Sequence, residues 1–280
     1  MKLSDVGELG FLAELERRGL AEAIDDDVAE IEGRVVTQDA LVEDVHFRLD
    51  WIGWRDLGWR AAAVNLSDLA AAGAHPLGLV VTLAAPGDTA VEDVFELYEG
   101  IAETGVPVRG GDTTSARQVV ISVTAVGRSE RVPGRSGARP GDLIVVTGPL
   151  GAAGAAFRQR RFVRPPLRLR EGRTLARHAH AMIDISDGLA VDAAHLARRS
   201  RCRIEIELDE VPLADGATIE DLAFGEDFEL LAAVERRRRR SRLSAVGRCV
   251  DGEGVAFSLA GEPYELAGWQ HYKSEASARS

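Results

Sequence analysis

Lysine is all but missing from this chain: Lys2 and Lys273 are its only two, and both sit near an end. A phosphate-loop NTPase needs a lysine behind its glycines, and a protein kinase needs one on a strand. Neither setting exists here. Cysteine is as scarce. Cys202 and Cys249 supply neither a disulfide framework nor a metal cluster, so a reducing, cytoplasmic location is expected. No apolar run reaches membrane-spanning length. The opening MKLSDVGELGFLAELERRG reads as an amphipathic helix rather than a leader, because acids interrupt its apolar stretch. A basic face is missing too: the formal charge of -11 argues against a general nucleic-acid binder. Metal cations or metal–nucleotide complexes suit such a chain better, held by carboxylates, arginine and backbone N–H groups.

What the chain does have is length, apolar residues and aspartate in unusual places. Its 280 residues make one large domain or two ordinary ones. Residues 33–42 read as a strand and 56–74 as an Ala-rich helix stopped at Gly73. A strand over 77–85, a helix over 91–104 and strands over 106–109 and 118–127 follow. GRSGARPGD, residues 134–142, is the natural boundary, and LIVVTG begins afresh behind it. The expected division is residues 1–133 and 134–280, each alternating strand and helix in α+β or α/β layers.

The aspartates carry the chemistry. Asp25, Asp26 and Asp27 stand together; Asp39 follows a β-rich run; Asp68 lies in NLSDLAAAG among Ala and Leu. Asp112 follows two glycines in RGGDTTSA, and Asp184 and Asp187 interrupt the apolar AMIDISDGLAVD. One such residue is a cap or turn by default. Several at strand ends or on an apolar helix, converging on one cleft, repel each other unless cations sit among them. Oxygen donors without His or Cys point to Mg²⁺.

The glycines are weaker signals. Gly110 and Gly111 are equally a tight turn or an anion cradle. Ser186 or Asp187 is equally a helix N-cap or the start of an anion-binding helix. LIVVTGPLGAAGAAF fails the dinucleotide fingerprint, since its G-x-G start is missing. Arg135 on the boundary loop could clamp a phosphate, His46 could meet a substrate anion, and Trp269 could be core or a stacking platform.

As an ordered set, DD…D…NLSDLAAAG…GGDTT…GRSGARPGD…VTG…DISDGL…GEDFELL resembles the thiamine-monophosphate kinases, of the group related to aminoimidazole ribonucleotide synthetase. The resemblance runs from about residue 4 to residue 272. It implies an N-terminal sheet domain that forms a homodimer, a C-terminal α/β domain, and a site in the cleft between them. It implies several Mg²⁺ ions on Asp27, Thr37, Gln38 (through its main-chain oxygen), Asp39, Asp68, Asp112, Asp184 and Asp187. Asp39, Asp112 and Asp187 would be catalytic. Gly111, Asp112, Arg135 and Ser186 would contact ATP, and His46, Glu226 and Trp269 would contact thiamine monophosphate. Three residues depart from the pattern: Asp25 stands where glycine is usual, Gln38 where Thr is, and His75 where Asp is frequent. The region around residues 157–163 is also trimmed. The rivals are a nucleotide or thiamine-phosphate sensor without catalysis, and another ATP-using enzyme of the same superfamily.

Overall fold

The computed structural model describes residues 3–22, 26–236 and 243–268. Helix α1 (Leu3–Arg17) opens the chain and is interrupted at Gly7. Five strands then form one mixed sheet: β1 (Ala29–Ile31), β2 (Arg34–Val42), β3 (His75–Ala85), β4 (Val108–Ser115) and β5 (Val120–Arg128). Their order is β1-β2-β5-β3-β4, antiparallel except for the β3–β4 pair. Helices α2 (Trp54–Ala71) and α3 (Val91–Ala102) connect them.

Helix α2 explains much of the rest. It is apolar nearly all round, which a surface helix cannot be, and residues 60–67 are buried without a break. The sheet covers one side of it, α3 a second, and elements of the C-terminal half a third. Its run of alanines permits this, because small side chains let three neighbours approach one axis. The chain leaves α2 through Gly73 at φ +63, the left-handed stop that glycine accepts readily.

The second half begins with β6 (Leu143–Val146), α4 (Ala152–Arg158), α5 (Leu169–Ala176), β7 (Ala179–Asp184) and α6 (Leu189–Ser200). Strands β8 (Arg203–Glu207), β9 (Leu230–Val234), β10 (Ser244–Val250), β11 (Gly254–Leu259) and β12 (Glu262–Tyr264) complete it. The seven strands run β12-β11-β8-β10-β6-β9-β7. Each half has its own core. A third cluster joins Ala70 and Ala71 of α2 to Val145, Leu175, Met182 and Leu230 across the seam.

Two expectations change. GGDTT is not a turn between strands: all five residues lie within β4, an exposed edge strand. The sequence from Val246 to Leu266 reads as a hairpin-rich end, but among the described residues β11 and β12 alone form a hairpin there, while β10 and β11 each pair with β8.

Helices α2 and α3 cross at two glycines. A Cβ on Gly58 would lie 1.9 Å from the carbonyl oxygen of Leu97, and one on Gly100 would lie 1.9 Å from that of Arg55. Backbone meets backbone, so no side chain can yield. Gly58→Ala is therefore expected to cost about 2–3 kcal/mol through overpacking, read as a lowered chemical-denaturation midpoint. An unchanged midpoint would mean that this crossing is not tight.

Candidate active site

Side chains from both halves meet at the seam. Asp68 comes from α2, Asp27 from the turn before β1, and Asp184 from the end of β7. One carboxylate oxygen from each lies within 4.8 Å of the others. Asp39, on the helix-facing row of β2, hydrogen-bonds Asp68. Thr37, two residues earlier on that row, donates to Oδ2 of Asp68. Ser67 donates to Asp184 at 2.6 Å, and Asn65 accepts the N–H of Asp39 at 3.0 Å. Arg135 binds Asp27 through Nη2 at 2.6 Å.

Burial and crowding govern the charge of this group. Desolvation first, then nearby Asp26 and Asp39, push Asp27 up to about 6 even though Arg135 opposes the shift. Burial, with Asp27 beside it, pushes Asp184 up to about 8. Asp68 is raised well above the ordinary range by burial and by Asp184, Asp39 and Asp27. Asp39 is raised by burial and by Asp187. Buried carboxylates this close cannot all ionise without cations. The donor set is entirely oxygen, partly dehydrated and several-fold anionic, which fits a hard divalent ion.

Asp112 does not join this group. On β4 it pairs with Thr82, in the row that leads to Ser122 and Ala40, whereas Asp39 shares its row with Val123 and Val81. The pleat therefore turns Asp112 to the open face of the sheet, where it is exposed. Gly111 lies beside it on the same edge. Gln38 turns its side chain to that open face as well and donates to Ser122, which leaves only its main chain for the cluster.

The start of α6 is not capped by Ser186 or Asp187. Gly188 is the N-cap, without a side-chain cap bond. The N–H groups of Ser186 and Asp187 are taken by Asp192, each at 3.1 Å. Asp192 is itself buried, and burial together with Asp187 and Asp184 raises its pKa well above the ordinary value.

Beside the carboxylates opens a cavity of about 400 Å³. His46, Ser186, Asp187 and Glu226 line it, as do the aromatic residues Trp51, Phe157, Phe162 and Phe224. The Val42 N–H donates to Nδ1 of His46 at 3.0 Å, which leaves Nε2 protonated in the neutral ring. Glu226 and Ser186 are neighbours, because the Glu226 N–H donates to the Ser186 carbonyl at 2.8 Å. Trp269, like Asp25, lies outside the described residues.

Sequence reasoning missed Arg60, which is buried in the cavity wall and ion-paired with Glu226. It also missed Asn65, Ser67 and Asp192. Helical spacing held a signal for Arg60: it precedes Ser67 and Asp68 by seven and eight residues, so all three share one face of α2.

Raised carboxyl pKa values mean that the folded chain holds protons its unfolded form has released. The metal-free protein should therefore lose thermal stability as pH rises from the ordinary 3.8 towards about 8, and Mg²⁺ should restore it. In Asp184→Asn the amide still accepts from Ser67 but carries no charge. The metal-free midpoint at pH 8 should rise, by about 2–4 °C per kcal/mol of repulsion removed, and the response to Mg²⁺ should shrink. A midpoint that climbs with pH in the wild type would contradict this account.

Comparisons with known proteins give the chain its family. Residues 24–129 match the AIR synthase related protein N-terminal domain, and residues 139–256 match the corresponding C-terminal domain. The thiamine-monophosphate kinase of Aquifex aeolicus is 33% identical, over 97% of this chain and all of that protein. That of Mycobacterium tuberculosis H37Rv is 35% identical, over 85% of this chain and 80% of its own. The structure of AaThiL complexed with AMPPCP and TMP superposes with a TM-score of 0.88 at 33% identity, covering 97% of this chain and 99% of that one. A hydrogenase maturation protein HypE in complex with ATP, 19% identical with a TM-score of 0.72, shares the fold alone; the alignment covers 94% of each chain. With both domain models matched and full-length relatives at one-third identity, the chain belongs to the thiamine-monophosphate kinase family of AIR synthase related proteins.

Proposed function

We propose that this chain transfers the γ-phosphoryl group of ATP to thiamine monophosphate, giving ADP and thiamine diphosphate. The observation that carries the reading is the adjacency of two unlike sites. A buried group of carboxylates lies at the seam, and a cavity lined in part by aromatic rings, with Glu226 on its wall, lies beside it. The first suits the metal-bound phosphates of a nucleotide, and the second suits an aromatic cation. A relative at 33% identity has been seen with AMPPCP and TMP together.

In this reading Asp27, Asp39, Asp68, Asp184 and Asp187 would hold magnesium, with Thr37 and the main chain of Gln38. Magnesium, when bound, supplies neutralisation of the phosphate charge. The chain's own residues do the rest. Arg135 and Ser186 contact the nucleotide at the seam, and Gly111 and Asp112 meet it from the sheet edge. His46 and Glu226 hold the acceptor in the cavity, with Trp269 as its stacking partner. The acceptor phosphate has a second pKa of ~6, so its oxygen is already ionised near neutral pH and no general base is required. Catalysis is then positioning and charge compensation for in-line transfer.

The open face of the first sheet, where Val80 is exposed, is the surface we assign to a second copy in a homodimer. Cys202 and Cys249 sit side by side as buried free thiols, which suits the cytoplasm.

Incubation with ATP, Mg²⁺ and thiamine monophosphate should yield thiamine diphosphate by chromatography. ADP release that ignores thiamine monophosphate would point to a phosphohydrolase instead. Asp112 would hold a further magnesium ion from the sheet edge, so Asp112→Asn should lower kcat by roughly 10²-fold or more through lost neutralisation of transition-state charge. Because Asp112 stands outside the crowded cluster, that variant should leave the metal-free thermal midpoint where it is, unlike Asp184→Asn. A wild-type turnover rate in Asp112→Asn would remove the residue from the mechanism.

A further inference from the structure

The loop that leads into β9 carries three acids in four residues, and each has a different task. Asp227 turns away from the cavity and accepts the Gly151 N–H on both oxygens at 2.9 Å, with Ala152 and Ala153 beside it at the start of α4. Glu229 turns to the other side, where Thr147 and Arg168 hold it. Glu226 alone of the three lines the cavity. Its backbone is held at φ +58, after Gly225 at φ +81 and before Phe228 at φ +51. A glutamate and a phenylalanine in the left-handed region are strained, and such strain persists only where surroundings impose it.

Arg60 is what meets Glu226 there. It reaches from α2 across the seam, so a residue of the N-terminal half fixes a side chain of the C-terminal half. Arg60 is only 5% exposed, and its guanidinium lies 5.8 Å from the ring centre of Phe162. Nη2 donates to Oε1 of Glu226, while its Nε is buried without a hydrogen-bond partner among the described residues. A buried donor left unpaired lowers stability, and a buried ion pair is poor evidence of a stabilising role. Such an arrangement is better explained by what it does for the cavity. Asp44 and Asp187 are the other acids of the lining, and Arg48, Arg161 and His46 stand there as bases. A carboxylate near these bases would swing toward them unless it were held. Pinned by Oε1, Glu226 keeps Oε2 for a ligand.

We propose that Arg60 is a positioning residue: it fixes the Glu226 carboxylate on the cavity wall and so makes the pocket select a cationic ring over a neutral one of the same shape. This rests on the proposed function for the identity of the ring. The alternative is that Arg60 merely staples the two halves together.

Equilibrium binding and KM separate these roles, using thiamine monophosphate and its isostere with a neutral thiophene ring. The wild type should prefer the cation by about tenfold or more, the scale of a partly desolvated charge contact. Arg60→Met should bring that preference below about threefold by weakening the cation alone, with the loss on KM rather than kcat, and Arg60→Lys should recover most of it. Glu226→Gln, which keeps size and hydrogen bonding, should abolish the preference even if Arg60→Met fails to fold. Equal weakening of both ligands, or a preference that survives in Glu226→Gln, would overturn the proposal. A wild type that prefers the cation without turning it over would leave ring selection intact and sink the kinase reading instead.

Discussion

Mutual repulsion among buried carboxylates is the constraint on which this structure turns. At an effective dielectric of about 20, two like charges 4 Å apart cost about 4 kcal/mol, and here three carboxylates lie within 4.8 Å with Asp39 bonded to one of them. Arg135 compensates Asp27. The remainder is met by retained protons: burial first, then the charge of Asp27, pushes Asp184 up to about 8. A folded chain with such a group is poised to exchange protons for divalent ions.

That poise requires a rigid frame, and α2 provides it. One helix carries Asn65, which grips the main chain of Asp39, Ser67, which grips Asp184, Asp68 in the cluster, and Arg60 at the cavity. Because α2 is packed on three sides, these groups cannot relax apart without opening the N-terminal core and the cluster at the seam. The same contacts join the halves. Ser67 to Asp184, Arg135 to Asp27 and Arg60 to Glu226 all cross the seam, so the chemistry and the domain interface are one set of bonds.

Some of this was legible in residue order. Asp68 in a helix of Ala and Leu, and Asp184 at the end of an apolar strand, could be read as buried carboxylates because their neighbours left no solvent to face. Asp112 could not be placed that way. Two glycines hid a strand, and a strand's face depends on pairing register, which one-residue steps invert. Asp192 was hidden for another reason. In sequence it reads as a polar residue on a helix, and only the fold turns it back onto the Ser186 and Asp187 N–H groups. Arg60 was obscured by its partner, since Glu226 lies 166 residues away and no local pattern links them.

The scarcity of lysine now has a physical sense. An ammonium group is a compact, mobile point charge that would settle among the carboxylates and occupy the place of a divalent ion. Arginine is planar and larger, and both arginines of this site are held at its rim. Arg135 is fixed by two nitrogens on one oxygen of Asp27, and Arg60 lies beside Phe162. Each neutralises one acid without entering the cluster. The centre is thereby left open for divalent ions, which would bring two charges each, where an arginine or a lysine brings one.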